Sequence, residues 1–318
     1  MQKSLFILTL LILPLSVSKA GPLKNEPITP LSIDNSISAQ LAELGDRLFH
    51  DTRLSQDNSV SCSSCHQLSQ GGADGRARSI GVAGAMGAIK APTVFNSSYN
   101  LAQFWDGRAA TLEEQAAGPV HNPVEMNSSW SQVLAKLNRD PAMVATFNKL
   151  FDDGITGANI TTAIAAFERT LVTTNSRFDR WLLGEETLTE QELKGYQLFR
   201  NYGCISCHQG ANVGGNMYAY MGALGDYFKN RNTELTQADL GRFNVTGQQE
   251  DKHYFKVPSL RLAAINSPYF HDGSVATLEE AIRIMGLYQL GREIPTAHIQ
   301  DIIAFLNTLV GEHSKLTP

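Results

Sequence analysis

Cysteine is scarce in this chain: four among 318 residues, and all four fall within two five-residue segments, which excludes a disulfide-dense secreted scaffold. Long apolar runs are also scarce. Beyond the first twenty residues no segment approaches the roughly 18 uninterrupted apolar residues that a membrane-spanning helix needs. Basic residues are outnumbered, 26 against 31 acidic, so no cationic surface for nucleic acid or anionic lipid is expected. Few stretches alternate at period two, which argues against an all-β fold. What is present is helical spacing, loops, and one repeated chemical motif.

Both cysteine segments read Cys-x-x-Cys-His: Cys62-Ser63-Ser64-Cys65-His66 and Cys204-Ile205-Ser206-Cys207-His208. Two thiols three positions apart can form thioethers with the two vinyl groups of one porphyrin, while the adjacent imidazole can bind its iron from below. A four-cysteine zinc site or two disulfides would use the thiols but leave the two histidines unexplained. The pattern predicts two covalently bound haem c groups, with Cys62, Cys65, Cys204 and Cys207 as attachment points and His66 and His208 as iron ligands.

The N-terminus carries Lys3, an apolar run from Leu5 to Val17, and Ser18-Lys19-Ala20, with small residues where a signal peptidase cuts. Residues 1–20 are therefore expected to be a cleaved export signal. Haem c is attached outside the bacterial cytoplasm, so a periplasmic address without membrane insertion follows. The mature chain would carry 24 basic and 31 acidic residues, a formal charge of −7.

About 300 mature residues suit two domains. The spacing predicts helices from Ser38 through Leu41, Leu44 and Leu48, through Leu193 to Phe199 ahead of the second motif, over Ile160–Trp181, and over Thr296–Leu309. A repeat supports the division. Ala91-Pro92-Thr93 through Phe104-Trp105-Asp106-Gly107 to Thr111-Leu112-Glu113-Glu114 matches Val257-Pro258-Ser259 through Phe270-His271-Asp272-Gly273 to Thr277-Leu278-Glu279-Glu280, offset by 166 without a gap. The cysteine motifs are offset by only 142, so the second copy holds about 24 extra residues, placed within 211–256. The expected fold is mainly α: two c-type cytochrome domains related by duplication, residues 21–183 and 184–318, with the final helix on either domain.

Positions where the copies diverge are where function is sought. Met285 follows the second copy, where a thioether opposite His208 would make a six-coordinate haem; filling a core gap is the alternative. Pro119 stands 166 residues earlier and cannot ligate iron. The first copy instead carries Gln115 and Glu125, a carboxylate and an amide suited to moving a proton between peroxide oxygens, although a lone Glu is more often a solvated surface charge.

With these residues the chain resembles the bacterial dihaem cytochrome c peroxidases and, in the same larger group, the methylamine-utilisation dihaem enzyme. The resemblance covers nearly the whole mature sequence and rests on both haem motifs, Ala91-Pro92-Thr93-Val94-Phe95-Asn96, Gln103 to Arg108, Gly118-Pro119-Val120 to Glu125-Met126, Phe167-Glu168-Arg169-Thr170 and Pro268 to Gly273. It implies a peroxidatic first haem served by Gln115 and Glu125, an electron-entry second haem ligated by His208 and Met285, and Trp105 between them. It also implies reduction of hydrogen peroxide to water with electrons from a small periplasmic cytochrome c or a copper protein, and a homodimer. Met285, where the methylamine-utilisation type has tyrosine, favours the peroxidase. A dihaem electron carrier or redox sensor, and a dihaem oxidase of a protein or organic substrate, are the competing functions.

Two departures stand out. Val82 occupies the position of a loop histidine that seals the resting first haem in many family members, so an open resting iron is expected, with Met86 and His121 as the substitute ligands to consider. Lys90 occupies the position of an asparagine that helps to bind calcium. An ammonium cannot coordinate that ion, so calcium is doubtful and Lys90 is expected to act as a built-in cation. His271, standing where the first copy has Trp105, is expected either on the electron path or as a hydrogen-bonded core residue.

Overall fold

The computed structural model describes residues 26–231 and 233–317. The expected export signal lies outside these residues. The fold is mainly helical, with nine helices of six or more residues among those described. They are α1 Ala39–Phe49, α2 Leu112–His121, α3 Trp130–Leu137, α4 Pro141–Leu150, α5 Gly157–Thr170, α6 Arg177–Leu182, α7 Glu190–Tyr202, α8 Leu278–Ile284 and α9 Thr296–Asn307. A two-stranded antiparallel sheet pairs β1, Tyr218–Tyr220, with β2, Tyr254–Lys256. No described helix is long and apolar enough to cross a membrane.

Helix starts follow local capping chemistry. Ser38, Thr111, Thr189 and Thr277 each accept a hydrogen bond from a backbone N–H of the first turn that would otherwise lack a partner. The expected helix over Ile160–Trp181 is broken. α5 stops at Thr170, and the chain runs extended before α6 begins at Arg177. The run Val172-Thr173-Thr174 is β-branched and weakly helical. Its backbone groups are also claimed elsewhere: Asn96 accepts from the Thr173 N–H at 2.9 Å, the Asn96 N–H donates to Leu171 at 2.8 Å, and Glu312 donates to Thr174 at 2.7 Å.

Two cores lie on either side of that break. Leu44, Leu48, Phe49, Ile164 and Phe167 pack in the first, and Phe178, Tyr196, Phe199, Ile302 and Phe305 in the second. Packing changes sides between Leu171 and Phe178, ahead of the boundary expected at 183. Helix α9 packs on α7 in the second core. The tail beyond it crosses to the first, where Leu316 is buried and Lys315 meets Asp46 at 2.7 Å.

In each half, the helix leading to a cysteine motif crosses a later helix at a glycine. A Cβ on Gly45 of α1 would lie 1.9 Å from the Ala163 carbonyl oxygen of α5. One on Gly195 of α7 would lie 1.9 Å from that of Asp301 in α9. Only hydrogen fits there, so backbone rather than side chain makes both crossings.

The segments related by the 166-residue offset share backbone detail. Phe104 and Phe270 have φ of 66° and 67°, and Gly107 and Gly273 have φ of 71° and 63°. Bridges close the same turns, Gln103 with Ala109 and Tyr269 with Val275. The segments also meet reciprocally. Lys90 N–H donates to the His271 carbonyl at 2.8 Å, and Lys256 N–H donates to the Trp105 carbonyl at 2.9 Å.

Glu168 of α5 is buried in the first half, and its Oε2 has no hydrogen-bond partner. Burial pushes this carboxyl up to about 8, with Arg169 pulling it down and Glu113 pushing it up.

Two outcomes are expected. Gly45→Ala or Gly195→Ala forces two backbones apart and lowers stability by about 1–3 kcal/mol, as for overpacking; an unchanged thermal midpoint of the holoprotein would exclude the close crossing. Between roughly pH 4.5 and 8 the unfolded chain releases the Glu168 proton while the folded chain keeps it. Stability therefore falls as pH rises through that window, by on the order of 4 kcal/mol at its upper end. Glu168→Gln should flatten this slope in unfolding curves recorded across pH, and an identical slope in both proteins would refute the assignment.

Candidate functional site

Each cysteine motif presents a buried imidazole. Cys62–Cys65 forms one helical turn in which Ser64 Oγ accepts from the Ser61 N–H at 3.0 Å, and the His66 N–H closes the turn on the Cys62 carbonyl at 3.0 Å. His66 Nδ1 faces the Pro92 carbonyl at 3.0 Å and that of Gly72 at 3.3 Å. A carbonyl only accepts, so Nδ1 carries the proton and the Nε2 lone pair is free for a metal. Burial pushes this imidazole below its ordinary value, against the pull of those two carbonyls. Gly203, at φ 94°, ends α7 and turns the chain into the second motif, where the His208 N–H again bonds the first cysteine's carbonyl at 3.0 Å. Burial pushes His208 down to about 4, against the pull of the Val213 and Pro258 carbonyls, and its Nδ1 has no hydrogen-bond partner among the described residues. Pro258 stands 166 residues after Pro92, so equivalent carbonyls act on both rings but only the His66 ring is hydrogen-bonded to its own. The four cysteines are half-buried free thiols.

A deep, largely apolar cavity lies against the second motif. Cys204, Cys207, His208 and Met285 all stand on its wall. Met285 sits where α8 passes into a π-helical turn, Met285–Gln289. Such turns recur at functional sites. Two thiols, a neutral imidazole with a free nitrogen, a thioether and an apolar lining are the donor set and environment that haem c requires, so these residues fit the group. The cavity continues past Trp105 to Lys90 and Pro92, whose carbonyl orients His66.

Trp105 is held at both ends in that passage. Its Nε1 donates to the Lys90 carbonyl at 3.0 Å, and its own carbonyl accepts from Lys256. His271 is buried, meets the Trp105 ring edge-on at 6.4 Å and bonds Asp239 through Nε2 at 2.7 Å. Asp239, His271 and Asp272 have metal-ligand spacing, but Arg231 already bridges the two carboxylates at 2.6 and 3.0 Å. Lys90 is buried, and its Nζ donates to the Ala91 carbonyl at 3.3 Å. Burial pushes that ammonium below its ordinary value, with Asp74 opposing.

The divergent stretch of the first copy lies near the first motif. Gln115 is half-buried on α2, and Glu125 is half-buried in the turn that follows that helix. The Glu125 carboxylate acts electrostatically on both Cys62 and Cys65. Burial raises its pKa; Asn122, donating to Oε1 at 2.6 Å, and the Arg108 charge lower it. The Glu125 carbonyl accepts from the Val82 N–H at 2.8 Å, which ties the 79–87 loop to the acid. A bridge from Ile80 to Met86 closes that loop. It buries Val82 and leaves Met86 62% exposed at the surface. His121, also exposed, turns its ring onto Trp130 and its Nδ1 to the Ser128 carbonyl.

Four further residues, given no individual role in the sequence reading, gain contacts through the structure. The Arg108 guanidinium lies 3.4 Å over the Phe104 ring, and that ring packs beside Gly118 of α2. Glu168 acts electrostatically on Cys62. Lys256 lines the cavity. Its signal was its place 166 residues after Lys90, one position before the match read from the sequence begins.

The family description "Di-haem cytochrome c peroxidase" matches residues 39–187. Cytochrome c peroxidase Ccp of Escherichia coli is 49% identical over 92% of this chain, which spans only 62% of that protein's length. Cytochrome c551 peroxidase of Nitrosomonas europaea is 48% identical over 91% of this chain and 85% of its own. The crystal structure of a MauG-like protein associated with microbial copper homeostasis superposes with a TM-score of 0.78 at 31% identity, covering 93% of this chain and 96% of that one. The chain belongs to the di-haem cytochrome c peroxidase family.

Proposed function

We propose that this protein is a periplasmic dihaem peroxidase that reduces hydrogen peroxide to two waters, taking up two electrons and two protons per turnover. The observation that carries this reading is the asymmetry of the two motifs. Beside the first stands a half-buried acid, Glu125, with its pKa raised by burial. Beside the second stands a thioether, Met285, on the wall that also carries His208. Haem iron, when bound, supplies the redox chemistry of O–O cleavage. The chain supplies proton traffic and ligation.

In this reading Glu125 accepts the proton from the inner peroxide oxygen and returns it to the departing one, which leaves as water. A carboxyl does both within one turnover only if its pKa lies nearer neutrality than an ordinary glutamate, and burial moves it that way. Gln115 donates a hydrogen bond to the departing oxygen, and Asn122 fixes the carboxyl through Oε1. Cys62, Cys65 and His66 hold the first haem, and Cys204, Cys207, His208 and Met285 the second. Trp105, clamped between Lys90 and Lys256, carries electrons across. The donor is a small cytochrome c or a copper protein delivering single electrons. Residues 1–20 direct export, and the halves descend from one duplicated haem domain, a reading supported by the 166-residue offset, the matching φ angles and the reciprocal hydrogen bonds. The Lys90 ammonium takes the place of a calcium ion.

Three measurements test this reading. Glu125→Gln should lower peroxide turnover by about a hundredfold or more with both haems still attached. In the parent enzyme kcat/KM should fall as pH drops through an apparent pKa above 4.5, because the base must be ionised; an acid limb at or below 4.5 would remove Glu125 from the role. The oxidised protein should show a high-spin ferric signal in electron paramagnetic resonance and bind cyanide without prior reduction, because Val82 carries no ligand atom and Met86 is exposed at the surface. Only low-spin signals would reject the open site.

A further inference from the structure

The two segments related by the 166-residue offset each place a lysine inside the protein. Lys90 and Lys256 are 4% and 8% exposed, and both line the cavity that lies against the second cysteine motif and reaches Pro92. Each lies two residues before a proline whose carbonyl faces a motif histidine, Pro92 for His66 and Pro258 for His208. A buried ammonium is costly unless an anion meets it. Here the copies differ. Lys90 has a buried carboxylate, Asp74, acting on it, and one oxygen of that carboxylate has no hydrogen-bond partner. For Lys256 burial is the sole influence, and no ion pair reaches it among the described residues. The residue 142 after Asp74, the offset of the cysteine motifs, is the neutral and exposed Asn216.

Resting on the haem reading above, we propose that Lys256 is the ammonium that binds a propionate of the second haem, and that its charge, offset by no protein carboxylate among the described residues, raises that haem's reduction potential relative to the first. The two carboxylates of a porphyrin are the anions that a largely apolar cavity would otherwise leave unpaired. Burial alone pushes Lys256 down to about 8, and a carboxylate set against it reverses that direction. A cation near an iron favours the ferrous state, which carries one positive charge fewer, and inside a protein the effect is screened far less than in water. At the first haem the same cation is offset by Asp74. A matched pair of lysines with one carboxylate between them thus gives two chemically alike haems different potentials and directs electrons from the second toward the first only when the first is oxidised by substrate. Met285 and Lys256 act in the same sense on the second iron, through ligation and through charge.

The test is spectroelectrochemical titration of each haem in the full-length holoprotein, with haem counted by pyridine haemochrome. Lys256→Met should lower the reduction equilibrium constant of the second haem at least tenfold, about 59 mV for one electron, and leave the first within twofold. Lys256→Arg should retain the parent potential. Asp74→Asn should move the first haem in the opposite direction, upward, and leave the second unmoved. Two attached haems with an unmoved second potential in Lys256→Met, or a shift confined to the first, overturn the inference alone. If Lys256→Met does not fold, an unmoved first haem in Asp74→Asn overturns it equally. A parent protein carrying fewer than two haems overturns both the inference and the haem reading on which it rests.

Discussion

Two main-chain hydrogen bonds, Lys90 N–H to the His271 carbonyl and Lys256 N–H to the Trp105 carbonyl, fix the relation of the halves. Backbone bonds of this kind are insensitive to side-chain identity, so the frame persists while the residues it presents diverge. Tryptophan on one side and histidine on the other are placed by the same geometry. The Trp105 ring adds a third bond, Nε1 to the Lys90 carbonyl, which leaves it little freedom in the cavity wall.

Around that frame the chemistry is set by burial. His66 and His208 are pushed below ordinary imidazole values and so offer neutral nitrogens, Glu125 is raised, and Lys90 and Lys256 are lowered. One physical cause, removal from water, moves acids and bases in opposite directions and readies each for a partner. Glu168 belongs to the same set, although it lies behind Cys62 rather than in the cavity.

Much of the architecture was legible in residue order because it rests on local rules. The cysteine motifs, the Thr111 and Thr277 caps and the start of the last helix need only nearest neighbours to be read, although that helix stops at Asn307, short of the Leu309 expected. The helix expected over Ile160–Trp181 failed for a non-local reason. Asn96 and Glu312, distant in sequence, claim the backbone groups of Leu171, Thr173 and Thr174 that a helix would have used. For the same reason the change of core precedes the expected boundary.

The candidate site divides along the same line. Residue order alone marked the two Cys-x-x-Cys-His motifs, the histidines that follow them and the segments that match at an offset of 166, since all of these are read from spacing along the chain. It also marked Met285, Gln115 and Glu125 as places where the copies part. Only tertiary structure decided that Met285 shares a cavity wall with His208, that Met86 is exposed, and that Lys256 is a buried cation with no ion pair among the described residues while Lys90 has Asp74. Burial and charge pairing are properties of what surrounds a side chain, and those surroundings are assembled from segments far apart in the sequence.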